Sequence, residues 1–262
     1  MAKPDFIIGT SGYSFADWVG PFYPPGTQGR EMLGFYVQHF AGVEINFTFY
    51  RMPSEAAIAA LAKASPPEFL FWVKANQALT HQGDPSGCGQ FCQALEPMRQ
   101  AGKLAGILLQ FPQSFHRTVA ERRYLADALE SLGKLSPQTE LAVEFRHGSW
   151  NHPSVLEGLR ARGIVLAVPD VPELPGLFRI GPLATGRSGY LRLHSRDAAK
   201  WYAGMAQRYD YSYSQDQLQD LAAQWSSLED KPGRVFAFFN NCHRGQAAAN
   251  AQAFQRVVNA MK

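Results

Sequence analysis

Val43-Glu44-Ile45-Asn46-Phe47-Thr48-Phe49-Tyr50 alternates apolar and polar side chains along its whole length. Period two is the period of a strand. The stretch therefore reads as a β-strand with one packed face and one column of hydrogen-bonding groups. Apolar, helix-like segments flank it, residues 32–40 before and 54–64 after. A strand between two helices belongs in a parallel sheet, buried on both faces. A carboxylate and an amide buried there need partners. Strands ending in polar groups recur in Val143-Glu144-Phe145-Arg146, Leu191-Arg192-Leu193-His194 and Phe238-Phe239-Asn240-Asn241. The expectation is a fold that converges these ends on one pocket.

Outward from that stretch the chain keeps a strand–helix rhythm. Strands are expected at 6–9, 69–74, 104–110, 141–145, 165–168, 190–193 and 234–239. Helices are expected at 91–101, 118–132, 154–162, 214–227 and 247–261, besides the two already named. Thr118-Val119-Ala120-Glu121 and Ser214-Gln215-Asp216-Gln217 have the spacing of capping boxes. Residues 76–89 read as a polar, Gly-rich loop. Residues 169–189 are rich in Pro and Gly and show no amphipathic helix. The first loop carries Tyr13, Phe15, Trp18, Phe22 and Tyr23, as either a cap over a pocket or a plug on a barrel end. Eight strands and seven helices in a chain of 262 residues give the count and size of a TIM-like (β/α)8 barrel. It is read as a single domain, 1–262, with an irregular segment replacing or shortening helix 6. The rival, an open doubly wound sheet, calls for a Gly-rich phosphate turn that Gly9-Thr10-Ser11-Gly12 does not supply.

An apolar share of 46% and a charged share of 18% are those of a folded globular chain, not a disordered one. A formal net charge of +3 is compatible with anionic ligands but too small to demand nucleic acid. No run of eighteen apolar residues suggests a membrane span, and the start of the chain lacks the apolar stretch of a secretory signal. Three cysteines, an odd number, make no disulfide framework, which points to a reducing cytoplasm.

Several motifs together resemble one known family. They are Gly9-Thr10-Ser11-Gly12-Tyr13 with Trp18 and Phe22-Tyr23-Pro24, the stretch 43–50 with Pro53-Ser54, and Lys74 with Thr80-His81. Further on come Glu144-Phe145-Arg146 with Ser149-Trp150, Tyr190-Leu191-Arg192-Leu193-His194, and Tyr209, Tyr211 and Tyr213. The last is Phe239-Asn240-Asn241 with Gly245, Ala247 and Asn250-Ala251. Over essentially the whole chain these resemble the YecE-like family, the domain of unknown function 72. The resemblance implies a TIM-like barrel and no assigned activity. A distant similarity of fold to endonuclease IV suggests nucleic-acid binding by analogy only. One departure is Ser195, where the family pattern leads us to expect glycine after His194.

In such barrels chemistry sits at the carboxyl ends of the strands. Glu44 and Glu144 are the candidate acid–base carboxylates, or else each pairs with a cation inside the barrel. Arg146 shares a face with Glu144 and either orients it or binds an anion. Lys74 is expected as the counter-ion of a carboxylate or, if buried, as a Schiff-base or proton-transfer amine. His194 is a candidate acid or base and Arg192 an anion ligand. Asn240 and Asn241 would bind substrate, or cap the last helix. Asn46, Tyr50 and Trp18 complete the expected substrate contacts, and His81 is placed in a loop without a catalytic role. His81, Glu44, Glu144, Asp170 and His194 could converge on a metal, but no His-Glu-x-x-His element supports this, and Cys88-x-x-x-Cys92 is followed by Leu95. Neither metal nor cofactor is expected.

The favoured reading is an enzyme, a hydrolase, lyase or isomerase, whose partner is a small anionic, phosphorylated or carboxylated ligand. The second is a nucleic-acid-binding or processing protein. Its support is residues 179–208, where Arg179, Arg187, Arg192, Arg196, Lys200 and Arg208 face one acid, Asp197, with Trp201, Tyr202 and Tyr209 interleaved. A binding protein without chemistry is the third. The sequence leaves the oligomeric state open.

Overall fold

The computed structural model describes residues 4–261, apart from the side chains of Met205 and Ala206. Met1, Ala2 and Lys3, on which the reading of the N-terminus partly rests, lie outside the described residues. The strands are β1 (Asp5–Thr10), β2 (Gly42–Ile45), β3 (Leu70–Lys74), β4 (Leu104–Gln110), β5 (Glu140–Glu144), β6 (Val165–Asp170), β7 (Ser188–Leu193) and β8 (Arg234–Phe239). The helices are α1 (Gly29–Tyr36), α2 (Phe47–Tyr50), α3 (Glu55–Lys63), α4 (Gln77–His81), α5 (Cys88–Gln100), α6 (Val119–Leu135), α7 (Pro153–Ala161), α8 (Met205–Arg208), α9 (Gln215–Ser226) and α10 (Gln246–Ala260). All ladders are parallel, in the order β1-β8-β7-β6-β5-β4-β3-β2. Side-chain caps fix the helix starts. Ser54 Oγ accepts from Ala57 N–H, Thr118 Oγ1 accepts from Glu121 N–H, and Ser214 and Gln217 form a reciprocal box.

The barrel is nearly closed. Between β1 and β2 there is one bridge, Ser11 with Glu44, where Gly12 N–H donates to the Glu44 carbonyl at 2.8 Å. Below it the Tyr36 hydroxyl, from the end of α1, stands in for the missing ladder. It accepts from Thr10 N–H at 2.8 Å and donates to the Gly42 carbonyl at 3.3 Å. The seam is tight enough to demand glycine, because a Cβ on Gly9 would meet the Gly42 carbonyl oxygen at 2.0 Å.

The opening stretch is not one strand. β2 stops at Ile45, and Phe47–Tyr50 is a helical turn. Strict alternation over four residues does not distinguish a strand from one turn of helix. The tertiary bonds decide: Thr48 Oγ1 donates to the Lys74 carbonyl at 2.6 Å, and Asn76 Nδ2 donates to the Thr48 carbonyl at 2.9 Å. The expected loop 76–89 likewise begins with the short helix α4, capped by Asn76. Between β6 and β7 the chain is irregular, as its Pro and Gly content implies. Thr185 there takes the place of a strand neighbour, with Oγ1 accepting from Leu166 N–H and donating to the Ile164 carbonyl.

The barrel interior is filled by large rings. Trp72 and Tyr190 meet at 4.6 Å between centroids, and Trp72 and Phe236 at 5.5 Å. Trp72 fits because Gly106 lies opposite; a Cβ there would be 2.3 Å from the indole. These rings seal the middle of the barrel and make the floor of its upper end. Among the described residues no helix is long and apolar enough to cross a membrane.

Candidate functional site

Strand parity places the polar groups. Trp72, Leu108, Ala142, Tyr190 and Phe236 belong to the inner cluster. Two residues further along the same strands stand Lys74, Gln110, Glu144, Arg192 and Phe238, on the same face. Glu44 follows Gly42 on β2 in the same way. One more step brings Asn46, Arg146, His194 and Asn240 to the mouth.

Arg192 is the hub. Its Nη2 and Nε donate to Glu44 Oε1 and Oε2 at 2.6 and 2.7 Å, and its Nη1 donates to Glu144 Oε2 at 2.5 Å. All three side chains are buried. The Tyr190 hydroxyl adds a bond to Glu44 Oε2 at 2.6 Å. Burial alone would raise the pKa of each carboxyl. For Glu44 the Arg192 guanidinium outweighs burial, and for Glu144 Arg146 and Arg192 together do, so both stay ionised below the usual carboxylate range. Both Glu44 oxygens are occupied. Glu144 is different: its Oε1 lies 2.6 Å from Arg146 Nε and 3.5 Å from His194 Nε2, yet accepts no aligned hydrogen bond among the described residues.

His194 is buried, and burial followed by the Arg146 charge lowers its pKa to about 3, so the ring is neutral. Asn240 Nδ2 donates to His194 Nδ1 at 2.9 Å. Arg146 Nη2, which can only donate, lies 3.3 Å from His194 Nε2, so in that amide orientation both ring nitrogens face donors; with the Asn240 amide turned, its oxygen accepts from Nδ1 and Nε2 accepts from Arg146. Ser195, in the place of the expected glycine, is accommodated because its Oγ accepts from Asp197 N–H.

Lys74 is not the contact counter-ion expected from the sequence. Among the described residues no carboxylate lies within 4.0 Å of its Nζ; the ammonium lies over the Phe49 ring, 3.9 Å from the centroid. Burial first, and the Arg192 charge second, lower its pKa from 10.5 to about 7, against the pull of Glu44 and Glu144. The ring face favours the ammonium form by roughly 0.5–2 kcal/mol, in the opposite direction. His81, at the end of α4, packs edge-on against the same ring and feels the Lys74 charge.

Other expected contacts lie elsewhere. Asn241 points to the outer face, since neighbouring strand residues alternate. Its Nδ2 donates to the Tyr211 carbonyl and to Asn250 Oδ1, tying the 211–213 segment to α10. Trp18 is buried in the first-loop aromatic cluster, its indole N–H donating to the Cys242 carbonyl, so that loop is a packed plug there. Tyr50 is 68% exposed on α2 and turns away from the inward column. Asp170 also faces outward, bound by Arg196 and by the Tyr213 hydroxyl. No group of three or more His, Cys, Asp or Glu side chains among the described residues is arranged to hold a metal ion.

The basic stretch 179–208 is largely compensated by acids outside it or beside it. Arg179 pairs with Glu173, Arg196 with Asp170 and Lys200 with Asp210. Trp201 is buried as part of a roof, with Arg146 and Arg208 over its ring, and is not an open stacking platform. Sequence reasoning missed Tyr190 and Ser11 as site residues. Parity with Arg192 and with Gly9 was the signal for both; the Ser11 hydroxyl lies at the seam beside Glu44 and helps to lower its pKa, and Asn46 Oδ1 is buried with no hydrogen-bond partner among the described residues.

The family described as "Protein of unknown function DUF72" matches residues 7–262. The UPF0759 protein YunF of Bacillus subtilis (strain 168) is 30% identical over 276 aligned positions, covering 96% of this chain and 94% of YunF. A solved DUF72 family protein from Thermotoga maritima MSB8 is 36% identical, with a TM-score of 0.87 over 97% of this chain and 99% of that one. Another, from Enterococcus faecalis V583, is 25% identical, with a TM-score of 0.85 over 97% and 95% of the two chains. With the family matched across the barrel and relatives alike from end to end, the chain belongs to the DUF72 family, the family to which its motifs point.

Proposed function

We propose that this protein is an enzyme acting on a small anionic molecule, phosphorylated or carboxylated, by acid–base chemistry at the barrel mouth. The hydrolase, lyase and isomerase classes fit such chemistry. The observation that carries the reading is how charge divides between two tiers. In the lower tier Arg192 is committed to Glu44 and Glu144. Arg146 and Lys74 stand above it, so the five groups hold one positive charge in excess while Lys74 is protonated. Arg208 lies behind Arg146 on the Trp201 ring and adds to the field. An anion entering there meets cations whose hydrogen-bonding capacity is unfilled, in a half-desolvated mouth where each charge acts strongly.

Roles follow from which atoms are occupied. Glu44, with both oxygens bonded, positions Arg192 and does not transfer protons. Lys74 is the amine that accepts or delivers a proton near neutral pH. Glu144 Oε1, 2.6 Å from Arg146 Nε and 3.5 Å from His194 Nε2, is the second acid–base candidate, and Asn46 and Asn240 offer amide groups to the ligand. Nucleic-acid binding is the weaker reading, because the paired residues of 179–208 leave little free charge for phosphates.

The test is thermal unfolding in phosphate, sulfate and small dicarboxylates. A ligand that binds only the folded state raises the midpoint with concentration, by about 2.7 kcal/mol of stability at a hundredfold excess over Kd. We expect such a rise, and its loss in Arg146→Gln. A midpoint that none of these anions moves would contradict the reading.

A further inference from the structure

We propose that Lys74 captures a carbonyl group: the ligand of this mouth is a small aldehyde or ketone that carries a carboxylate or phosphate and is held through an imine to Lys74 Nζ. The charge of the ligand rests on the preceding reading. The carbonyl rests on the surroundings of Lys74.

An imine-forming lysine must be an amine not locked as an ammonium. The fold holds a lysine of the opposite kind for comparison. Lys103 is buried and its Nζ donates to the Ala62 carbonyl, the Ser65 carbonyl and Ser65 Oγ at 2.5, 2.6 and 3.1 Å. Those three oxygens match the three donors of an ammonium. Lys74 has no such set. Its Nζ faces a ring, and the charges of Arg192 and Arg146 act on it from within the mouth. As a residue it is half-buried, at the carboxyl end of β3 where barrel sites lie.

Imine formation also needs groups that move protons near the carbonyl oxygen. Glu144, a carboxylate on the inward face of the same strand ends, is such a group: among the described residues its Oε1 accepts no aligned hydrogen bond, though Arg146 Nε lies 2.6 Å away. In the reaction the Nζ lone pair bonds to the carbonyl carbon and the C=O π pair moves onto oxygen. That oxygen takes one proton originating on nitrogen, giving a carbinolamine. The C–O bond then breaks, the nitrogen lone pair completes C=N, and the oxygen leaves as water with the second nitrogen proton. Amine plus carbonyl becomes imine plus water, with no oxidation or reduction. Arg146 would hold the anionic end. Glu144 is the candidate for passing the proton from nitrogen to oxygen.

The experiment treats the full chain at neutral pH with glyoxylate or with uncharged propanal, in the presence of cyanoborohydride. The reductant converts an imine to a stable secondary amine, and peptide mass spectrometry locates it. We expect glyoxylate to modify Lys74 at least tenfold faster than any other lysine, Lys103 included. Inorganic phosphate should slow this reaction but not that of propanal, and Arg146→Gln, which also removes a charge acting on Lys74, should slow glyoxylate modification by a larger factor than propanal modification. If Lys74 reacts no faster than exposed lysines with either carbonyl, the inference is overturned, even where phosphate still raises the unfolding midpoint. If Lys74 is preferred but glyoxylate has no advantage over propanal, the anionic ligand is overturned instead, and the preceding reading with it.

Discussion

The two ends of neighbouring strands β3 and β4 each hold a lysine removed from bulk water, and the two are treated oppositely. At the bottom, Lys103 stands just before β4 and closes the carboxyl end of α3, where helix carbonyls are left without partners. Every donor is matched, so the ammonium is a structural part. At the top, Lys74 ends β3 above a tier in which Arg192, Glu44 and Glu144 already satisfy one another. Among the described residues no carboxylate lies within 4.0 Å of its own donors. Charge that is closed on itself holds the barrel together; charge left open is available to a ligand. A related difference separates the two glutamates: Glu44 is hydrogen-bonded through both oxygens, whereas Glu144 Oε1 meets Arg146 as an ion pair without an aligned hydrogen bond among the described residues.

The strongest way to break the comparison is to remove the tier beneath Lys74. Arg192→Met leaves two buried carboxylates without their shared cation, and loss of one partner of a buried pair costs about 3–5 kcal/mol. Urea unfolding should show at least that loss. A change under 1 kcal/mol would mean the tier is not closed as described. Lys103→Met should cost less, roughly 1.5–3 kcal/mol, the range for hydrogen bonds made by a charged group. Lys74→Met should behave differently, in sign and in pH dependence. The folded-state pKa of Lys74 is lowered from 10.5 to about 7. Between those values the unfolded chain binds more protons, so stability rises with pH across that window. Below pH 7 the full penalty of the buried charge is present. Lys74→Met should therefore be most stabilising relative to the native chain below pH 7, and lose that advantage as pH rises toward 10.5. An advantage that stays level across the window would contradict the shift.

The barrel was legible in the sequence because buried parallel strands and capped helices leave long, periodic signals. Glu44, Glu144, Arg192, Arg146, His194 and Asn240 were legible for the same reason, since residues two apart at strand ends share a face. The errors came where the period changes or where partners are distant. Thr48 and Tyr50 continue the alternation of 43–46 on paper, yet a turn of helix carries them off the inward column. Asn241 lies one residue from Asn240 and so faces α10. The charge of 179–208 looked uncompensated because Glu173, Asp170 and Asp210 lie outside that window. Nothing local marks Tyr36 as the group that bridges β1 and β2. That role exists only once the seam is formed.

Trace acetylation with acetic anhydride across the range from about pH 6 to pH 11 measures the amine directly, with the Lys74 and Lys103 peptides quantified in one digest. The account requires the reactivity of Lys74 to rise with a midpoint near 7. Lys103, its donors engaged by three oxygens, should react little while the chain stays folded. A Lys74 midpoint near the ordinary 10.5 would contradict the account and would remove both the neutral-pH base and the carbonyl-capturing amine.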